Sequence, residues 1–161
     1  KLKVPPAPVA GETDANALAA KHGAVVEHGG NSAFYSISHD KIVLPSVEAF
    51  KSVEDYQSTL THELVHWTGH ETRCKRDFRN RFGTEAYAFE ELVAEIGSAF
   101  LCARLGVAHE NLQHAEYIAN WLKVLKNDKR AIFTAASAAK KAADFLLPEE
   151  VEVEAEEKEA A

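Results

Sequence analysis

The stretch "LTHELVHWTGH", residues 60–70, sets three histidines and one glutamate among leucine, valine and tryptophan. Whether it is helical decides the fold. His62 and His66 stand four residues apart, a spacing that on an α-helix places both imidazoles on one face, one turn from each other. Upstream, Ser52 followed three residues later by Asp55 is a capping-box-like start, and Glu54 and Asp55 put negative charge at the positive end of the helix dipole. Val53, Tyr56, Leu60, Leu64 and Trp67 recur at steps of three and four, the apolar stripe of an amphipathic helix. Gly69 stops it. The predicted helix runs over 53–68, with His62 and His66 on the flank of its buried face.

His-Glu-x-x-His on a helix is a zinc signature with a mechanism. Two neutral imidazoles, His62 and His66, bind the ion, and Glu63 takes a proton from the water that the ion activates. One Zn²⁺ per chain, or another divalent metal, is therefore expected, and a catalytic zinc needs a third protein ligand beside an open position for water. His70 is nearest, but the metzincin spacing that it resembles needs its histidine at position 72, where this chain has Thr72. Downstream, "EAYAFEELVAEIGSAFLCARLG", 85–106, reads as a second amphipathic helix, with Leu92, Ile96, Ala99, Phe100 and Ala103 on its apolar face and Gly106 as its stop. At about 100° per residue, Glu91 and Glu95 fall on the edge of that face and Glu90 on the far side. Glu91 is thus expected to reach a buried metal, and Glu90 is not. "ELVAE", 91–95, resembles the layout of gluzincins, in which a glutamate on a later helix ligates zinc and an acid four residues on supports a ligand histidine. Glu95 is expected in that supporting role, because a carboxylate behind the metal fixes the imidazole tautomer.

The 161 residues, 46% of them hydrophobic, suffice for one sizeable core. The opening "KLKVPPAPVAGE" reads as the end of a linker, 1–12, in a chain cut from something longer. The folded domain is expected over 13–147. The net charge of −7 is concentrated in the tail, where seven acids and one lysine follow Pro148. Residues 148–161 are read as a disordered, solvated appendage. In the body, "RCKRDFRNR", 73–81, carries five basic residues directly after the metal helix. They suit DNA phosphates or an acidic substrate, or a solvated loop balanced by nearby carboxylates. No apolar run reaches membrane-spanning length and no signal peptide is visible, so a cytoplasmic protein with no membrane partner is expected, with Cys74 and Cys102 as free thiols.

"DANALAAKHG" reads as a short helix ended by Gly23. Three short strands follow near 24–27, 33–38 and 41–44, with Gly29-Gly30 and His39-Asp40 as the turns between them. Helices are predicted near 112–126 and 128–147, the second stopped before Pro148. The class is α+β.

Four blocks, "AFYSISHDKIVLP", "YQSTLTHELVHWTGHETR", "RFGTEAYAFEELVAEIGSAFLC" and "AEYIANWLKVLKNDKRAIFTAASAAKKAADFL", together resemble the zincin-like metallopeptidase domain of ArdC antirestriction proteins and TraC-type conjugative primases. The resemblance spans about residues 24–147. It implies a zincin-like fold, a small, mostly antiparallel sheet packed on a helical bundle that carries the HExxH helix. It implies a metal at His62, His66 and the Glu91 helix. It further implies a plasmid- or phage-borne role beside incoming DNA, with single-stranded DNA bound by an N-terminal domain that this chain lacks. In zincins an edge strand holds an extended peptide by strand addition, and "SAFYSIS" is expected in that role. Gluzincins also supply a His or Tyr to the oxyanion. Tyr117 is the first choice and His114 the second.

Two functional readings remain open from the sequence. One is a zinc metallopeptidase acting on a peptide or protein, restriction-system components among them, with Glu63 as general base. The other is a metal-stabilised binding module that blocks restriction enzymes by protein or DNA contacts without hydrolysis.

Overall fold

The computed structural model describes residues 14–76, 85–108 and 115–149. The expected linker over 1–12 and most of the acidic tail lie outside the described residues. The elements in order are α1 (Ala15–His22), β1 (Val25–His28), β2 (Phe34–Ser36), β3 (Lys41–Leu44), a 3₁₀ turn (Val47–Ala49), α2 (Val53–Thr68), α3 (Glu85–Leu105), α4 (Ala115–Asn127) and α5 (Ala131–Leu146). A small sheet thus lies beside a group of helices, as expected for the α+β class.

Local chemistry sets the helix ends. Asp14 caps α1 by accepting from the Ala17 N–H, and Gly23 ends it in the left-handed region at φ 72°, where a side chain would be strained. The Ser52 side chain accepts from the Asp55 N–H at the start of α2, as its sequence predicts. Gly69 closes that helix in ordinary right-handed geometry, so a left-handed turn is not what stops it.

The strand order is β1-β3-β2. β2 and β3 form the expected antiparallel hairpin, with Tyr35 opposite Ile42 and Asp40 in the turn at φ 46°. β1, however, runs parallel to β3, Val26 beside Ile42. The sheet is therefore mixed, and the Gly29-Gly30 segment is a connection from one edge to the other rather than a hairpin turn. β2 is an edge strand among the described residues, where "SAFYSIS" was expected.

The core joins Leu18 of α1, Ile42 and Leu44 of β3, Leu60, Leu64 and Val65 of α2, Val93 and Leu101 of α3, and Leu146 of α5. The α5 contribution is a run of alanines, Ala135, Ala139, Ala142 and Ala143, all fully buried. Small side chains let α5 approach α3 closely. Arg104 ties the two together by donating to the Leu147 carbonyl at 2.6 Å and to Asp144 at 2.9 Å. Between α2 and α3 the contact is polar as well as tight. The Thr61 and Ser98 hydroxyls meet at 2.7 Å, and Ser98 donates to the Ser58 carbonyl at 3.1 Å.

The buried face of α3 matches the expected one only in part. Leu92 is buried and Ile96 packs half-buried against the core as expected, but Ala99, Phe100 and Ala103 are exposed, whereas Glu90, Glu91, Val93, Ala94, Glu95, Ser98, Leu101 and Cys102 are buried. The expectation assumed that the side facing the protein is the apolar one. Here three carboxylates face inward because histidines and an arginine meet them.

Candidate metal centre

α2 carries His62 and His66 into contact, ring centroids 4.8 Å apart and planes nearly perpendicular at 76°. α3 lays Glu91 across both. Its Oε1 is 3.2 Å from His66 Nε2 and its Oε2 is 3.3 Å from His62 Nε2, while the two Nε2 atoms are 3.1 Å apart. One donor atom from each of the three residues lies within 4.8 Å of the others. His62, His66 and Glu91 therefore come together as the sequence predicts, in a mixed nitrogen and oxygen set.

The far side of each ring is held too. His62 Nδ1 lies 2.8 Å from Glu95 Oε1, and His66 Nδ1 lies 3.1 Å from Glu90 Oε1. A carboxylate there takes the Nδ1–H, which leaves the Nε2 lone pair pointing at the shared focus. Two imidazole nitrogens and a carboxylate converging at such distances need a proton or a cation among them. The residues present thus fit a metal ion.

Electrostatics agree. Burial alone would push His66 down, but its hydrogen bonds to Glu90 and Glu91 outweigh that and raise its pKa to about 9. His62 is likewise raised against its burial, by Glu91 and Glu95. Glu91 is held well below the usual carboxylate range by the two imidazoles, against the effect of burial. The pocket attracts positive charge.

Glu63, the residue between the histidines, is 6% exposed. Burial pushes its pKa up, the nearby imidazoles draw it back, and the Tyr35 backbone N–H of β2 donates to it. An edge strand thus steadies the expected base.

Other expectations fare differently. Glu90, placed on the far side by periodicity, is buried and supports His66. Sequence reasoning missed it because the cation beside it, Arg76, comes from a loop after α2. His70 turns instead to Thr72, with Nδ1 2.8 Å from its hydroxyl. Tyr117 lies on α4, but its side chain is outside the described residues, as is all of His114. Of the basic run, Arg79 and Arg81 are also outside them, while Arg73 and Arg76 are engaged internally. Arg73 pairs with Asp40, donates to the Tyr35 hydroxyl at 3.2 Å and stacks 3.8 Å over the Trp67 ring. Those two arginines follow the balanced-loop reading. Cys74 and Cys102 are free thiols. Among the described residues no helix is long and apolar enough to cross a membrane.

Comparison with known proteins agrees with this geometry. Residues 13–138 match the family described as zincin-like metallopeptidase. The chain is 47% identical over 131 residues to a DNA primase TraC of Escherichia coli, covering 81% of this chain and 12% of the primase. It is 42% identical over 133 residues to the protein y4eC of Sinorhizobium fredii, covering 82% of this chain and 43% of that one. Among solved structures it is similar to the antirestriction protein ArdC of plasmid R388 in its Mn(II)-bound form, with a TM-score of 0.75 and 42% identity over 86% of this chain and 53% of ArdC. The metal-free form of ArdC gives a TM-score of 0.74. The chain therefore spans about half of ArdC or less of the other relatives.

Proposed function

The chain belongs to the zincin-like metallopeptidase family, and from that premise we propose that it is a metal-dependent peptidase unit of the gluzincin type. The observation that carries the reading is Glu63, buried beside the His62, His66 and Glu91 donors and held by a backbone N–H of β2. A purely structural metal site has no use for such a base. His62 and His66 would hold the ion through Nε2 and Glu91 through its carboxylate, with Glu95 and Glu90 fixing the imidazoles from behind. Zinc suits two imidazoles and one carboxylate, and the Mn(II)-bound relative supports a divalent ion. When bound, the ion would polarise a scissile carbonyl and acidify the attacking water.

Glu63 accepts the proton of that water and returns it to the leaving amine. Burial, which raises its pKa, brings it toward the range in which a carboxylate both takes and gives a proton near neutral pH. An extended peptide adds along the β2 edge beside it. Tyr117 remains the candidate for the oxyanion. By analogy with ArdC and TraC, the unit serves a plasmid or phage antirestriction or DNA-transfer protein in the cytoplasm. Single-stranded DNA is held by a separate domain, and restriction-system proteins are among the substrates.

The test is mass-spectrometric detection of cleavage in a peptide library by the zinc-loaded chain and by Glu63→Gln. Cleavage by the wild type, lost in the variant while zinc is still bound, is the expected result. A wild type that binds zinc yet cleaves neither the library nor purified restriction subunits would favour the non-hydrolytic binding module.

A further inference from the structure

The carbonyls of the last turn of α2 have no partners further along the helix. In this chain each finds one. The Gly69 N–H donates to the His66 carbonyl at 2.8 Å, His70 N–H to Trp67 at 3.3 Å and Cys74 N–H to Thr68 at 2.7 Å. The Val65 carbonyl takes the Thr68 hydroxyl and Arg76 Nη2, each at 2.6 Å. The chain reaches that position by doubling back. Lys75 adopts φ 52°, and the Arg76 N–H closes on the Gly69 carbonyl at 2.8 Å. A guanidinium is thereby set at the negative end of the helix that carries both histidines.

Capping alone would not account for the rest of what Arg76 touches. Nε and Nη2 grip Glu90 as a fork, at 3.0 Å to Oε2 and 3.0 Å to Oε1, while Nη1 donates to Thr68 Oγ1 at 3.0 Å. Glu90 Oε1 is the same atom that lies 3.1 Å from His66 Nδ1. Both side chains are nearly buried, 11% and 8% exposed. A glutamate on a flexible stem is a poor guide for an imidazole ring. Gripped at both oxygens it becomes a rigid one, because a planar fork matches a carboxylate in only one orientation.

The geometry points to Arg76 as a positioning residue of the metal centre, one that fixes Glu90 so that His66 presents Nε2 toward His62 and Glu91. This rests on the metal ligation proposed above and is independent of hydrolysis. It also gives Arg76, within the basic run after the helix, a role other than nucleic-acid contact. Without the fork, Glu90 is a buried anion beside the metal, free to swing and to compete as a ligand. A lysine would keep the charge and lose the grip.

The test compares the wild type with Arg76→Lys, Arg76→Met, Glu90→Gln and the Glu90→Gln/Arg76→Met pair. Zinc affinity is read by competition with a chromophoric chelator, and ligand geometry by the visible spectrum of the Co²⁺ form. Each Arg76 variant should bind zinc about tenfold more weakly, the lower end of what a supporting group contributes. The paired variant should lose no more than Glu90→Gln alone, because Arg76 acts through Glu90. The cobalt bands should shift in Arg76→Lys. Should Arg76→Met not fold, the lysine variant and the pair, which removes the unmatched carboxylate charge too, still decide the matter. Folded Arg76→Lys with wild-type zinc affinity and cobalt spectrum, or losses that simply add in the pair, would overturn the inference. Absence of zinc binding by the wild type sinks the proposed centre itself, and is read before any variant is made.

Discussion

Gly97 is a point of close contact between α3 and α2. A Cβ placed on it would lie 2.8 Å and 2.9 Å from the two γ-methyls of Val65, and 3.5 Å from its Cβ. Carbon atoms rest at about 3.5–4.0 Å, so Gly97→Ala demands about 0.7 Å or more of separation between the helices. Val65 cannot turn aside, since it is fully buried and a β-branched residue in a helix has one strongly preferred χ1. The strain falls between His66, the next residue on α2, and the Glu91–Glu95 segment just upstream on α3. Metal–ligand distances tolerate about 0.2 Å, so a shift of this size should cost the centre more than it costs the fold. Overpacking costs about 1–3 kcal/mol, and replacing glycine by alanine in a helix returns about 1 kcal/mol. The net destabilisation is then about 0–2 kcal/mol, a loss of several degrees in Tm at most. Zinc affinity should fall by about tenfold or more, within the effect of disturbing ligand support. Thermal unfolding and chelator competition on Gly97→Ala measure the two. In Gly97→Ala/Val65→Ala the offending methyls are gone, and zinc affinity should recover even though a core side chain is lost. A Gly97→Ala chain with raised Tm and unchanged zinc affinity would refute the reasoning, because it would show that the helices part without moving the ligands.

Four further outcomes follow from the same geometry. Zinc titrations should rank Glu91→Ala as far more damaging than Glu95→Ala, whose loss should cost about 10- to 100-fold as a supporting carboxylate; His70→Ala should change little, and a dominant effect at His70 would reverse the ligand assignment. With the His66 pKa raised to about 9, a proton sits where the ion binds at pH 7, so zinc binding should release protons and its affinity should rise as pH rises toward 9; calorimetry in buffers of different ionisation enthalpy reads this, and a pH-independent affinity over that range would contradict it. Arg73→Ala unfastens the Tyr35 and Asp40 hairpin from α2, and should lower kcat and speed hydrogen exchange at the Tyr35 amide while leaving zinc affinity close to the wild type; equal exchange rates would show that Arg73 does not steady the strand beside Glu63. Because Arg73 and Arg76 are committed inside the protein, a fluorescence titration with a single-stranded oligonucleotide near physiological salt should give a Kd no tighter than about 10⁻⁵ M, in the non-specific range; submicromolar binding would restore the basic run as a nucleic-acid contact.

What was legible in the sequence was whatever is written locally. The cap at Ser52, the stop at Gly69 and the stripe from Val53 to Trp67 gave α2 its observed bounds, Val53–Thr68, because each of those signals acts within a turn or two of the backbone it controls. Strand order was not legible, since nothing in three short runs says that β3 rather than β2 lies in the middle. The α3 face was legible only in part, for a more instructive reason. Reading a face from apolar periodicity assumes that whatever is buried is apolar, an assumption that holds wherever burial is driven by water alone. On α3 the stripe is buried at Leu92 and half-buried at Ile96 but exposed at Ala99, Phe100 and Ala103, while Glu90, Glu91 and Glu95 are buried. Burying a carboxylate costs several kcal/mol unless it is paired, so three on one helix persist only where cations or proton donors are supplied from elsewhere. His62, His66 and Arg76 supply them, from α2 and the loop that follows it, too far along the chain for any window of local sequence to connect. The expected stripe therefore holds at Leu92 and Ile96, beside the metal centre, and fails beyond them, and the buried face of α3 is wider than its apolar stripe because the carboxylates it carries find partners on α2 and the loop after it.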